Sequence, residues 1–407
     1  MMLTGELPKS VFGRSPLLLL GIGPNLLILH NCGPASGFCG SDTFRNMNLD
    51  LFKEILDMES TSGQERRLAE FLERRFPEID PKCTCTRYEV GDGTLNLLFR
   101  WDNAGMTSRL PKVVLCSHLD TVPPYFAPQF RKINAGETLP DGKIAGQDDL
   151  LITGRGSCDA KGQFFSMWSA CSSLASESTS GETDFGLLLL SGEETGSFGA
   201  KAFDRDCPGS EYLIVGEPTD NLMVSASKGT KSYSVTIHGK ACHSGYPELG
   251  HSAVDTFVEF VEKLRGIDFP EDEVLGPTTW NIGKLSSDNP QNILSPELSF
   301  RLYFRTTFAS DVMVQEVMEQ MRSQDIDIEA FGGDTPMRYT TFDGIGTKPV
   351  AFGSDTPRMN KFVHRSLCGP GSIFVAHTPR EYVLLSDLEK AQSQYETLLK
   401  NILYNEL

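Results

Sequence analysis

Six side chains that can hold a metal or move a proton stand at the same kind of place in this chain. His118, Asp120, Asp159, Glu193, Glu194 and Glu217 each follow an apolar run or a glycine-rich turn. The run Lys112-Val113-Val114-Leu115-Cys116 is apolar without alternation, the pattern of a strand buried on both faces of a parallel sheet, and it leads into Ser117-His118-Leu119-Asp120-Thr121. His118 and Asp120 lie two apart and share a face on extended backbone. A metal-bound imidazole commonly donates its second ring N–H to a carboxylate or carbonyl, so this pair can supply a ligand and its orienting group.

Leu187-Leu188-Leu189-Leu190 ends at Ser191-Gly192-Glu193-Glu194, and Tyr212-Leu213-Ile214-Val215 ends at Gly216-Glu217-Pro218. On an open α/β sheet, the carboxyl ends of such strands converge on one crevice. Carboxylates crowded there repel one another unless a cation is bound, which makes a metal the economical explanation. Gly154-Arg155-Gly156-Ser157-Cys158-Asp159 has the outline of a dinucleotide-binding turn, but Asp159 occupies the third glycine's place and would repel a pyrophosphate. Its structural alternative is to cap the helix that follows.

The elements that must position these groups can be read from periodicity. Leu49, Phe52, Ile55 and Leu56 recur at helical spacing; Ser62 and Glu65 form a capping box for a second helix running to about residue 76. Residues 86–90 and 95–101 read as a hairpin across Gly91-Asp92-Gly93, 123–149 as a polar loop, and 163–174 as a helix. After Glu217 the pattern changes to alternating strands at 232–238, 278–282 and 298–304 with an amphipathic helix at 251–264. Gly353-Ser354-Asp355 and Ile373-Phe374-Val375-Ala376-His377-Thr378 look like a return to the first unit, closed by a helix at 385–403. The fold expected is α/β: a doubly wound, mostly parallel sheet interrupted by an inserted α+β unit, divided as 47–227, 228–337 and 338–407.

The 407 residues exceed a comfortable single core. A formal charge of -17 argues against a phosphate-tracking surface, so no nucleic-acid partner is expected. The ten cysteines contain no C-x-x-C pair, which suits reduced thiols in a cytoplasmic enzyme better than a disulfide framework. In residues 1–46, Lys9 and Arg14 precede an apolar stretch from Pro16 to Leu29 that Gly21, Gly23, Pro24 and Asn25 interrupt. It is too short to span a bilayer, and no membrane partner is expected. The segment reads as disordered or as an over-extended start ahead of Met47.

Five segments in order, Ser117-His118-Leu119-Asp120-Thr121-Val122-Pro123, Gly154 to Gly162, Gly192-Glu193-Glu194, Gly216-Glu217-Pro218 and Ala376-His377-Thr378, resemble the dinuclear zinc amidohydrolases. That family includes acetylornithine deacetylase, succinyl-diaminopimelate desuccinylase and aminoacylase-type carboxypeptidases, and the likeness runs from about Met47 to the C-terminus. It implies a catalytic zinc domain in two parts, 47–227 and 338–407, and a lid and dimerisation domain at 228–337. It implies two Zn²⁺ per chain, with Co²⁺ or Mn²⁺ as substitutes: Asp159 bridges, His118 and Glu217 hold one ion, Glu194 and His377 the other. Glu193 is then the general base, set opposite Glu194 because neighbours on extended backbone point apart, and Asp120 steadies His118. His243 is implied to reach the partner subunit's site in a homodimer, Asn292 and Arg305 to hold the substrate carboxylate, and Gly353 and Ser354 to line the substrate.

Within that family, desuccinylases carry paired arginines where this chain has Ser227-Lys228-Gly229, while Gly369-Pro370-Gly371 and Ala376-His377-Thr378-Pro379 look more like acetylornithine deacetylase. The expected reaction is therefore hydrolysis of a small-molecule N-acyl amino acid, N-acetylornithine or a close ornithine or citrulline analogue, as in arginine biosynthesis. Lys228 or Lys231 is available on this reading to meet a succinyl carboxylate. The alternatives are a metallo-exopeptidase (carboxypeptidase or dipeptidase), succinyl-diaminopimelate desuccinylase and, from another class, a non-catalytic binding relative.

Overall fold

The computed structural model describes residues 47–91, 93–101, 109–178 and 183–404. The apolar N-terminal stretch and Asp92 of the expected hairpin turn lie outside the described residues. Helix α1 (Leu49–Leu56) starts at Asn48, whose side chain accepts the Leu51 N–H, and buries Leu51, Phe52, Ile55 and Leu56. Helix α2 (Arg66–Ile79) begins three residues after the capping box places it, with no side-chain bond from its N-cap, Glu65. The Ser62 hydroxyl donates instead to the Asp120 carboxylate at 2.7 Å. A hydrogen bond to a buried anion outweighs a neutral local cap.

Strands β1 (Thr84–Gly91) and β2 (Thr94–Arg100) form the antiparallel pair, and β3 (Val113–His118) is buried along its whole length. The stretch expected as a loop contains β4 (Gln129–Ile133), paired antiparallel with β5 (Asp149–Thr153). Gln129, Arg131 and Lys132 of β4 face solvent, which hides its pattern. Helix α3 (Lys161–Glu177), β6 (Phe185–Leu190), α4 (Phe198–Asp206) and β7 (Ser210–Val215) follow.

Next come β8 (Met223–Ser227), β9 (Gly229–His238), α5 (Ala253–Arg265), β10 (Thr279–Ser286), β11 (Glu297–Thr306), α6 (Asp311–Gln320) and β12 (Ile326–Asp334). The antiparallel sheet β10-β11-β9-β12 packs its alternate residues, Val235, Ile237, Phe300 and Leu302 among them, against Phe260 and Leu264 of α5 and Val314 and Met318 of α6. This core contains no residue of the larger sheet. The chain returns through β13 (Met337–Arg338) beside β8, β14 (Thr347–Val350) parallel to β8, β15 (Phe362–Leu367), β16 (Tyr382–Leu384) against β5, and α7 (Leu385–Tyr404).

The larger sheet runs β1-β2-β6-β3-β7-β15, its last four strands mutually parallel. Along β3, Val113 and Leu115 join a core with α1, α2, α3 and α7, whereas Val114 and Cys116 join another that includes Ala200 and Phe203 of α4. Helices therefore cover both faces, which explains unbroken apolar runs in β3, β6 and β7. The α/β class and its inserted α+β unit are as the sequence implies. Among the described residues, no helix is long and apolar enough to cross a membrane.

Candidate active site

β3, β6 and β7 end side by side and deliver His118, the Glu193-Glu194 turn and Glu217 to one end of the sheet. His118 Nδ1 lies 2.9 Å from the Asp120 carbonyl oxygen and 3.5 Å from its carboxylate. With Nδ1–H donated to that carbonyl, Nε2 is free to face Asp159 Oδ1 at 3.1 Å and Glu217 Oε1 at 3.9 Å. The orienting oxygen is thus the main-chain carbonyl of Asp120, and its carboxylate does something further. It accepts the Ser62 hydroxyl and the N–H groups of Glu193 (3.0 Å) and Glu194 (3.2 Å).

Those two bonds correct the strand argument for Glu193 and Glu194. Both sit in a turn rather than on extended backbone, closed by Gly196 and Ser197 N–H groups donating to the Glu193 carbonyl. Gly192 opens the turn at φ +68°, with the Phe198 ring where a Cβ would project. No other residue fits there. Asp120 thus holds the turn, and the turn holds the glutamates.

Asp159 does not cap α3; its two oxygens face different imidazoles, Oδ1 toward His118 and Oδ2 toward His377 Nε2 at 3.2 Å. His377 Nε2 is also 2.9 Å from Glu194 Oε1. His377 holds φ +61°, a left-handed conformation that costs a non-glycine residue energy and is found mostly where function demands it. Three groupings bring potential ligand atoms within 4.8 Å of one another: His118, Asp159 and Glu217; Asp159, Glu194 and His377; and His118, Glu193 and Glu194. Asp159 is common to the first two.

The electrostatics suit a site that binds a cation. Burial pushes Glu217 and Glu193 well above the usual carboxylate range, His118 opposing and neighbouring acids adding to the rise. Burial also pushes Asp355 up to about 6. Asp159 goes the other way, because bonds from His118 and His377 more than offset its burial. Burial opposes the charge on His118, but its bonds to Asp120 and Asp159 raise it well above an ordinary imidazole; bonds to Asp159 and Glu194 take His377 to about 10. Glu217 Oε1 is buried with no hydrogen-bond partner. An orphaned acceptor costs free energy unless a proton or a metal occupies it.

Beside these groups lies a cavity of about 270 Å³ whose walls include Asp159, Glu193, Glu194, Glu217 and His377. Arg305, Gly353 and Ser354 line it too, together with Thr230, Tyr303, Phe352 and Ile373, which sequence reasoning missed. His243 and Asn292 do not. Both are exposed on the smaller sheet's connections, where Ser244 N–H donates to the Asn292 carbonyl and Gly245 N–H to His243 Nδ1. Neither lysine considered for a succinyl group faces the cavity: Lys228 donates to the Pro277 carbonyl, and Lys231 pairs with Asp311 at 3.0 Å. Gly369 lies against Gln163 and the Glu217 carbonyl, which gives the Gly369-Pro370-Gly371 run a packing role beneath the site.

Parallel strand ends that gather imidazoles and carboxylates, with a separate antiparallel unit contributing Arg305 above them, define a metallohydrolase architecture. Residues 225–324 match the peptidase dimerisation domain family. A peptidase M20 domain-containing protein of Schizosaccharomyces pombe is 31% identical over 365 residues, covering 88% of this chain and 84% of its own. A probable carboxypeptidase of Talaromyces marneffei is 30% identical over 390 residues, covering 86% and 85%. Among solved structures, a Bacillus subtilis dinuclear metal binding peptidase of the M20 family has a similar fold, with a TM-score of 0.59 at 13% identity over 88% of this chain and 98% of that one. The chain belongs to the M20 peptidase family.

Proposed function

We propose that this protein is a dinuclear metallo-exopeptidase that hydrolyses an amide bond adjoining a free α-carboxylate. Arg305 carries the reading: it lines the cavity beside Asp159, Glu194, Glu217 and His377, and its guanidinium lies 5.0 Å over the ring of Tyr303, another lining residue, with no carboxylate paired to it among the described residues. A planar fork of donors matches a carboxylate. His118, Asp159 and Glu217 would hold one ion and Asp159, Glu194 and His377 the other; mixed imidazole and carboxylate donors suit zinc, with cobalt or manganese as substitutes. Such a pair of ions, when bound, polarises a scissile carbonyl and acidifies a water toward a pKa of about 7.

Glu193, half-buried in the cavity wall and more basic than an ordinary carboxylate, takes the water's proton and returns it to the leaving amine. Gly353 has open space where a Cβ would project, leaving room for substrate beside its backbone. His243 and Asn292, exposed outside their own chain's cavity, serve the second copy of a homodimer built through 228–337, with 47–227 and 338–407 as the catalytic part. The match to a dimerisation domain and the separate core of the smaller sheet support that division.

A second reading, deacylation of N-acetylornithine or a related N-acyl ornithine or citrulline, is favoured by one observation. Lys228 and Lys231 are both engaged, and among the described residues lining the cavity Arg305 is the one lysine or arginine, so a short uncharged acyl group fits better than a succinyl carboxylate. Measuring kcat/KM over short peptides, their C-terminal amides, N-acetylornithine and N-succinyl-diaminopimelate tests both. Peptides and acyl amino acids with a free carboxylate should be cleaved, and Arg305→Met should cost roughly 10- to 100-fold in kcat/KM, mostly through KM. Equal cleavage of acids and amides, or an indifferent Arg305→Met, would overturn the carboxylate clamp. A ranking led by the diaminopimelate compound would overturn the second reading.

A further inference from the structure

Glu381 is fully buried, and its two carboxylate oxygens face one short stretch of chain. Oε1 accepts three main-chain N–H groups, from Gly156 at 2.9 Å, Cys158 at 3.1 Å and Asp159 at 3.1 Å. Oε2 accepts from the Arg155 guanidinium, itself buried, which also reaches the Pro124 carbonyl. The Gly154 N–H points at the Glu381 carbonyl at 3.4 Å, and the Glu381 N–H donates to the Thr378 carbonyl, one residue past His377. A single side chain therefore ties the loop that presents Asp159 to the segment that presents His377. Among the described residues those three N–H groups have no other acceptor, and Gly156, at φ +84°, is held in a conformation that the loop must maintain.

We propose that Glu381 is a positioning residue that fixes the bridging carboxylate of Asp159 and, through it, sets the affinity of both metal positions together. A terminal ligand's support should affect one ion; support of a shared carboxylate should affect two. The inference rests on the metal reading given above. It assigns Glu381 no contact with substrate or ion, only the aim of Asp159. Partners of this outer kind typically change metal affinity by about 10- to 100-fold when removed.

The test isolates the acceptor oxygen. Arg155→Met is combined with either Glu381→Gln or Glu381→Leu, so that neither protein carries an unpaired buried charge and the two differ chiefly in whether an oxygen faces the three N–H groups. Each is titrated with Co²⁺ alone, followed by calorimetry and by the cobalt d–d absorption, with circular dichroism and a thermal midpoint recorded on the metal-free protein. The glutamine double variant should bind two Co²⁺ with the unsubstituted protein's spectrum. The leucine double variant should keep its dichroism, bind both ions roughly 10- to 100-fold more weakly and show an altered cobalt spectrum. Equal affinities in the two double variants, weakening of a single ion, or loss of fold in the leucine variant alone would each overturn the proposal. Failure of the unsubstituted protein to bind two Co²⁺ would instead sink the metal reading itself.

Discussion

Asp120→Asn should lower kcat by roughly 10- to 100-fold, and the size follows from what its carboxylate touches. Oδ1 accepts the Glu193 N–H; Oδ2 accepts the Glu194 N–H and the Ser62 hydroxyl. Asparagine has the same shape but one acceptor oxygen. With that oxygen toward Glu193, its NH₂ confronts the Glu194 N–H while Ser62 reverses to accept. Turned over, it keeps Ser62 and Glu194 but confronts Glu193. Either way one of two main-chain anchors becomes a donor facing a donor. A hydrogen bond to a charged group contributes about 1.5–3 kcal/mol, and each 1.36 kcal/mol is about tenfold in rate. Since the anchored residues are the proposed base and a proposed ligand, the loss should fall on kcat and on metal affinity, with KM little changed. Ser62→Ala leaves both anchors and should cost less than about tenfold. Steady-state kinetics at saturating metal, beside a zinc competition titration, measures both. An Asp120→Asn protein within about threefold of the original in kcat and affinity, or a Ser62→Ala protein matching it, would refute the anchoring argument.

Glu193→Gln should retain both ions while losing roughly 10²- to 10⁴-fold in kcat, whereas Glu194→Gln should weaken one ion; metal analysis and kinetics showing the reverse would exchange their roles. His377 is held to about 10 and His118 well above its ordinary value in the metal-free protein, and both must be neutral to ligate, so metal binding should release protons and tighten as pH rises. The same raised value means that His377 stabilises the metal-free fold fully below its unfolded pKa of about 6.5 and loses that contribution as pH climbs through about 10. Calorimetry in buffers of different ionisation enthalpy checks the release; metal affinity independent of pH between about 6 and 8 would contradict it. Mixing inactive His243→Ala and Glu193→Ala subunits should recover about a quarter of the original activity per site if each site borrows His243 from its neighbour, and no recovery after verified exchange would make His243 a local structural residue.

The strands that lead into the site were legible because both faces of β3, β6 and β7 are covered, leaving no polar residues to break the runs. β4 was not, since its outward Gln129, Arg131 and Lys132 resemble a loop, and β16 has only three residues in which to show a pattern. Ser62 shows the deeper limit: its local neighbours suit a cap, and only the fold brings a buried carboxylate 58 residues away within reach. His377 entered through family resemblance, because nothing in its spacing from Glu194 foretells a 2.9 Å approach across 183 residues. Glu381 left a faint signal, an acid four residues after His377, but its partners are main-chain groups that no side-chain motif records.

The excursion into the smaller sheet leaves and re-enters the larger unit at touching points, Met337 pairing with Ser227 and Arg338 with Ala226. Thr219 and Gly369 meet 150 residues apart in the chain, a closure that would be slow to find if the intervening segment were an open coil. Because that segment has a core of its own, its folding can draw the two ends together first and turn a long search into a short one. β15 and α7, with the His377 segment between them, follow the smaller unit in the chain. A nascent molecule can hence complete its smaller unit before His377 has been made, so the grouping of Asp159, Glu194 and His377 cannot assemble until the chain has grown past β15.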